Sequence, residues 1–391
     1  MSGAPRPERF EIAIDAAAVD DLHERLARTR FADDFANDDW SYGIGRDYLE
    51  ELVAYWRDEF DWRAVEARMN EYDHHRVVLD DIPVHYLTAP GKGPAPLPLI
   101  LTHGWPWTFW DFHKVIGPLS DPEAHGGDPA DAFDVVVPSL PGYGFSSPLR
   151  TPGVTPAVIA GLWDRLMHDV LGYDRFGAQG GDWGASVTAW LGHAHAEHLV
   201  GVHLSLPAFI TLDPRMVGPD EFGPGEEDWY EKTRRKRRTI DAHMTVHRRD
   251  PQTLAAALND SPAGLAAWIV ERRRSWSDCG GDVERRFTKD DLLTTVSIYW
   301  FTQTFHTSAR LYAEMFRGTT LLPVHDRTPE VEAPTGIAVF PEDVFHVPRS
   351  VAAERTDLRR WTVMPRGGHF APMEEPELLV DDVRAFFRPL R

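Results

Sequence analysis

Phe176-Gly-Ala-Gln-Gly-Gly-Asp182-Trp-Gly-Ala-Ser186 is the stretch on which the reading of this chain turns. A carboxylate stands between Gly180-Gly181 and Gly184, after a short apolar lead-in and before a helix-compatible run from Ala185 to Leu191. Tiny residues on both sides of one reactive side chain suit a sharp strand-to-helix turn, the nucleophile elbow. Such elbows usually carry serine. A serine that attacks an sp³ carbon is left as an ether, which water does not readily remove. A carboxylate is left as an ester, which an activated water can cleave. The aspartate therefore points to displacement at saturated carbon rather than to acyl transfer. Taken alone, the pentapeptide GGDWG reads more simply as an aspartate capping the next helix, so partners elsewhere must decide.

Outward from the elbow the chain alternates short apolar runs with helical segments. Leu99-Ile-Leu-Thr102 ends in His103-Gly-Trp-Pro106, and Phe133-Asp-Val-Val-Val137 ends in Pro138-Ser-Leu-Pro-Gly142-Tyr-Gly144-Phe-Ser146. A helix over 155–171 leads to the elbow strand, and Leu199 to Leu204 forms the next apolar run. This alternation predicts a mostly parallel sheet with helices on both faces, and active groups at the carboxyl ends of its strands. Between Pro207 and Arg317 the alternation stops, leaving helical patterns rich in Arg, Trp and Asp, which predicts a helical cap. It resumes at Thr335-Gly-Ile-Ala-Val-Phe340 and Trp361-Thr-Val-Met364.

The first ninety residues predict a helical preface. Asp15 caps one helix with Val19, Leu22 and Leu26 on one face, and a second runs over 46–59. Between them, the loop from Phe31 to Gly43 is expected to pack its rings inward. A β-hairpin follows, Arg76 to Leu79 with Val84 to Leu87, and then a Gly/Pro linker. The expected organisation is 1–92 preface and hairpin, 93–206 first part of the core, 207–318 cap, and 319–391 second part of the core.

A formal charge of −20 over 391 residues argues against nucleic acid or an anionic membrane as the main partner. The opposing run Lys232 to Arg238 reads as the solvated face of a helix. A single cysteine, Cys279, rules out an intramolecular disulfide and suits a reducing cytoplasm. The N-terminus has no apolar segment of signal-peptide type, and no stretch reaches the ~20 apolar residues of a bilayer-spanning helix. The 18 histidines show no metal-ligand spacing, and Gly142-Tyr-Gly144 lacks the later glycine of a dinucleotide fingerprint, so neither metal nor cofactor is expected.

A nucleophile needs a base, and the base an orienting acid. Phe340-Pro-Glu-Asp343 places a carboxylate after one late strand, and Arg366-Gly-Gly-His369-Phe a histidine after the next. The order Asp182, Asp343, His369 is the one expected on an α/β-hydrolase sheet. Asp343 is preferred to Glu342 because it stands one residue further from the strand. The amides of Trp105 and Trp183 are expected to converge on one oxygen of Asp182 as an oxyanion hole. His103 and Pro106, with Trp183 and Tyr312, are expected to line the substrate site.

HGWP at 103–106, PSLPGYGFS at 138–146, GGDWG at 180–184 and RGGHF at 366–370 follow one another behind a helical N-terminal segment. In that combination the chain resembles the microsomal-type epoxide hydrolases, which include juvenile-hormone, fungal and enediyne-pathway members. The likeness extends to Ala257-Leu-Asn-Asp-Ser-Pro-Ala-Gly-Leu-Ala-Ala267 in the cap and to Glu374-Glu-Pro376. It implies an α/β-hydrolase fold with a helical cap and a helical N-terminal extension, a cytosolic relative without its namesake's membrane anchor, and a small hydrophobic epoxide and water as substrates. In that family two cap tyrosines hydrogen-bond the epoxide oxygen. One matches Tyr312, while the position expected to hold the other is His243. With an unperturbed imidazole, the His243 contribution would grow as pH falls toward ~6.5. Certain dehalogenases also resemble this His/Tyr pairing, holding a leaving halide with it. A hydrolytic dehalogenase is therefore the second reading, and a catalytically silent hydrolase-fold receptor for a small hydrophobic ligand the third. Oligomeric state, monomer or homodimer, stays open, as does a detoxifying or biosynthetic role.

Overall fold

The protein is seen in a computed structural model that describes residues 5–317 and 327–391. Its strands are β1 (Glu8–Phe10), β2 (Asp73–Leu79), β3 (Ile82–Ala89), β4 (Leu97–Thr102), β5 (Phe133–Pro138), β6 (Phe176–Gly180), β7 (Leu199–Leu204), β8 (Val331–Val339) and β9 (Thr356–Val363). They form one sheet in the order β1-β2-β3-β5-β4-β6-β7-β8-β9. The first three are antiparallel, β3 joins β5 antiparallel, and every pair from β5 to β9 is parallel. Every residue of β6 and β7 is buried, which is why these central strands are short apolar runs without alternation.

The helices are α1 (Ala16–Ala27), α2 (Arg46–Asp58), α3 (Trp62–Met69), α4 (His113–Ser120), α5 (Pro156–Arg165), α6 (Trp183–Ala194), α7 (Trp229–Arg249), α8 (Pro251–Leu258), α9 (Pro262–Trp276), α10 (Lys289–Thr302), α11 (Phe305–Phe316), α12 (Arg349–Arg355), α13 (Ala371–Glu374) and α14 (Pro376–Phe387). A Cβ on Gly177 would meet Phe387 of α14, whereas one on Gly180 would meet Thr188 of α6. The two glycines are an odd number of residues apart on β6, so these helices cover opposite faces of the sheet. Among the described residues the cap is α7 to α11 with connecting turns and no strand, as its composition predicts. Its expected boundary at 318/319 lies outside the described residues. Several starts follow side-chain caps: Thr155 accepts from Val158 N–H with Pro156 at the first helical position, Ser261 accepts from Gly264 N–H ahead of Pro262, and Thr288 and Asp291 cap each other's amides.

The preface departs from expectation in three ways. Asp15 precedes α1 but its side chain caps nothing; its carbonyl takes the Ala18 and Val19 amides instead. The loop over 31–43 does not turn all its rings inward. Phe35 and Tyr42 are 87% and 83% exposed, and the loop is held by Asn37, which bonds Tyr42 N–H, the Gly43 carbonyl and Asp34. The third is α3, started by Asp61 accepting from Ala64 N–H and unmarked by any long periodic run. The preface also supports the cap. Arg25 pairs with Asp260 at 2.7 Å, Trp56 Nε1–H donates to Ser297 Oγ at 3.1 Å, Tyr55 donates to Asp290 at 3.0 Å, and the Trp62 ring packs on Phe301. Among the described residues no helix is long and apolar enough to cross a membrane.

Candidate active site

Sheet register brings the strand ends together. Thr102 lies beside Gly180 and Gly180 beside Leu204, so the turn after β4 faces the elbow after β6. Beyond β8 and β9, an isolated bridge pairs Glu342 with Gly368. Asp182 sits at φ 52°, ψ −126°, a conformation costly for a residue with a Cβ (of order 1–3 kcal/mol) and retained only where surrounding packing imposes it. Here the packing leaves the flanking glycines no room for a side chain. A Cβ on Gly184 would lie 1.9 Å from the Thr102 carbonyl oxygen, and one on Gly104 2.1 Å from Asp182 Oδ1. Glycine is the residue both contacts allow.

The three expected members meet. His369 Nε2 lies 3.1 Å from Asp182 Oδ2, and His369 Nδ1 lies 2.7 Å from Asp343 Oδ1. Asp343 is 3% exposed and also accepts from Val344 N–H. Glu342 points away, 3.8 Å and 3.9 Å from Lys232 and Lys236. The bridge to Gly368 explains the choice: one residue on, the side chain turns inward toward the histidine. Burial opposes charge on His369, but the Asp343 carboxylate and the hydrogen bonds to both acids overcome it and push the pKa up to about 9. The resting imidazole is therefore protonated at neutral pH and donates to both carboxylates.

Asp182 Oδ1 accepts from the Trp105 amide at 2.7 Å. No bond from the Trp183 amide joins it among the described residues, so one expected donor of the pair is in place and the other is not.

A cavity of about 340 Å³ opens over Asp182. Trp183, His243, Tyr312, Trp276 and His369 border its reacting end, and Leu206, Phe209, Ile210, Met244 and Phe345 make apolar walls. Tyr312, 3% exposed, meets Trp183 edge-on at 4.8 Å and His243 at 5.4 Å. Burial and the Asp182 charge push its phenol well above the ordinary value, so it stays a donor. His243 does reach the cavity, stacked on Trp105 at 5.0 Å. Burial, with His247, Arg272 and His369 nearby, drives its pKa well below 6.5, which overturns the expected growth of its contribution near that pH. Its imidazole is neutral throughout the working range. Beside it, Trp268 Nε1–H donates to His247 Nε2 at 3.2 Å, placing the proton of that neutral ring on Nδ1.

His103 and Pro106 do not line the cavity. His103 is fully buried behind it, between the Gly104 carbonyl and the Leu140 amide. Pro106 offers its carbonyl to Arg273 at 3.0 Å. The HGWP motif serves the turn rather than the substrate. Arg237, exposed as its reading on a solvated basic face expects, also borders the cavity with Thr233 and Asp241. They lie three or four residues apart along α7, in line with Met244 rather than with His243, so counting from His243 does not find them. Among the described residues no group of His, Cys, Asp and Glu side chains could hold a metal ion.

Fold and site together define an α/β-hydrolase with an aspartate at the nucleophile elbow. Residues 7–112 match the epoxide hydrolase N-terminus family, and residues 98–248 the α/β-hydrolase fold family. Epoxide hydrolase 1 of Oryctolagus cuniculus is 35% identical over 96% of this chain and 88% of its own length. The crystal structure of juvenile hormone epoxide hydrolase from Bombyx mori superposes with a TM-score of 0.89 at 28% identity, covering 99% of this chain and 95% of that one. Aspergillus niger epoxide hydrolase gives 0.85 at 28% identity, covering 99% and 97%. The chain belongs to the epoxide hydrolase family and is a hydrolase.

Proposed function

We propose that the chain hydrolyses an apolar epoxide to a vicinal diol through an ester on Asp182. The observation that carries this reading is one unbroken line: Asp182 bordering the cavity, His369 3.1 Å behind it, and Asp343 2.7 Å behind that. Asp182 attacks an epoxide carbon, and the C–O bond breaks with its electron pair on oxygen. Hydrogen bonds from Tyr312 and neutral His243 act mainly on that developing alkoxide.

Alkylation also prepares the second step. It turns the Asp182 carboxylate into a neutral ester and so removes two of the influences that hold His369 near pKa 9, the charge of Asp182 and the hydrogen bond to it. The proton His369 then releases balances the one the alkoxide takes up, and a free imidazole emerges when a base is needed. It takes a proton from water as that water attacks the ester carbonyl, with Asp343 orienting the ring. The Trp105 amide, joined by Trp183, holds the oxyanion. Collapse breaks the ester C–O bond, the leaving alkoxide takes the second proton of the attacking water to complete the diol, and the Asp182–His369 ion pair is restored. The compartment we propose is the cytoplasm, on the strength of the single Cys279.

Single turnover in heavy-oxygen water tests the route. Label is expected in Asp182 first and in the diol only in later turnovers. Full labelling of the first diol would mean direct attack by water and would overturn the proposal.

A further inference from the structure

The loop carrying His369 is held from beneath by a carboxylate that touches neither the cavity nor the triad. Glu374, on α13 and 7% exposed, accepts from the Phe370 amide through Oε1 at 2.8 Å and from the Gly368 amide through Oε2 at 3.0 Å. These are the amides on either side of His369. The same Oε2 accepts a third bond, 2.7 Å, from the amide of Asp278 in the turn that follows α9 of the cap. His369 N–H itself donates to the carbonyl of Trp276, the last residue of α9, at 3.0 Å. The backbones meet so closely that a Cβ on Gly368 would lie 2.8 Å from both the Asp278 nitrogen and the Trp276 oxygen. Around this seam, Asp278 Oδ2 accepts from the Gly367 amide and Arg286, and Arg286 and Arg366 both reach Glu375.

We infer that Glu374 is a positioning residue for the proposed water-activating step, locking the His369 loop to the cap so that the imidazole stands correctly over the Asp182 ester. Burying a carboxylate is costly, and burial pushes this one up to about 7 against the pull of the amides and Arg286. Among the described residues it forms no ion pair. Its bonds go to three backbone amides, two of them flanking the base, so the cost is met for loop geometry. Asp182, by contrast, takes its backbone position from β6 and α6 and the placement of its Oδ1 from the Trp105 amide, so its tie to the clamped loop is the single bond to His369.

The inference rests on the ester mechanism and is tested by separating the two half-reactions. Glu374→Gln keeps the size but sets an NH₂ against at least one amide N–H at hydrogen-bond distance. Alkylation is expected at the wild-type rate, while ester hydrolysis slows on the order of tenfold. The ester then accumulates in intact-protein mass spectra, and KM falls together with kcat. Glu374→Asp, which keeps the carboxylate, should recover part of the loss. Equal slowing of both steps, or of neither, would overturn the inference. If Glu374→Gln does not fold, Asp278→Ala loosens the same seam from its solvent side and should show the same split in smaller measure; an unsplit result there is equally fatal. Ester absent from both His369→Gln and Glu374→Gln would overturn the mechanism and the clamp together. Ester in the former with unsplit kinetics in the latter would overturn the clamp alone.

Discussion

Removing the Tyr312 hydroxyl is the most direct probe of the proposed ring-opening step. In Tyr312→Phe the ring keeps its edge-on contacts with Trp183 at 4.8 Å, His247 at 5.0 Å and His243 at 5.4 Å, so the cavity wall should stand and the melting temperature should move little. The loss is one donor to an oxygen gaining full negative charge. A hydrogen bond to a charged group contributes about 1.5–3 kcal/mol. At tenfold per ~1.4 kcal/mol, alkylation should slow by roughly 10- to 150-fold. His243 remains and shares the alkoxide, which favours the lower end. The complementary His243→Phe should slow alkylation about tenfold, and the double variant should lose more than the product of the two, since each single variant leans on the donor that is left. The sign with pH follows from the site. Tyr312 titrates well above 10 and His243 well below 6.5, so both are neutral N–H or O–H donors between pH 6 and 8. Neither should impose a slope on alkylation there. Pre-steady-state quenching of tryptophan fluorescence follows the step, with Trp105, Trp183 and Trp276 bordering or backing the cavity. An unchanged alkylation rate in Tyr312→Phe, or a rise toward pH 6 that vanishes in His243→Phe, would refute this account of the donors.

His369→Gln should leave Asp182 able to open the ring while hydrolysis slows by ~10²–10⁴-fold, so that protein plus one substrate mass accumulates; continued diol production with unmodified protein would exclude His369 as the base. Arg273→Ala should destabilise the whole protein, because the 2.6 Å pair with Asp111 is 2% exposed on both sides and its loss leaves a buried carboxylate unpaired. The expected loss is about 3–5 kcal/mol, read as a lower melting temperature, with partial recovery in Arg273→Ala/Asp111→Asn.

Asp182 and His369 were legible because a parallel sheet gathers function at strand ends, and both stand one or two residues beyond glycines that follow a strand pattern. Asp343 was legible only as one of two neighbours; the bridge between Glu342 and Gly368, a contact 26 residues apart, separates them. His103 misled for a related reason. Its motif is recognisable, but what the motif specifies is the Gly104–Trp105 backbone beside Asp182, while the ring itself braces Leu140. The identity of His243 could be found by counting along α7, yet its protonation could not, since it is suppressed chiefly by burial among rings such as Trp105, Trp276 and Tyr312, with Arg272 and His369 adding charge, all far from it in the chain. Glu374 was visible as part of a motif and silent as to role, because its partners are backbone amides, which every residue but proline possesses.

The preface raises a different matter, that of building hybrids between relatives. Since Arg25, Tyr55, Trp56 and Trp62 bond or pack against Asp260, Asp290, Ser297 and Phe301, the cap's outer surface is shaped to this particular N-terminal segment. A graft of residues 207–317 alone would strand an indole N–H and an arginine against foreign side chains. Cap and preface together form the transplantable module, and a donor enzyme's specificity should travel intact only when both pieces are moved.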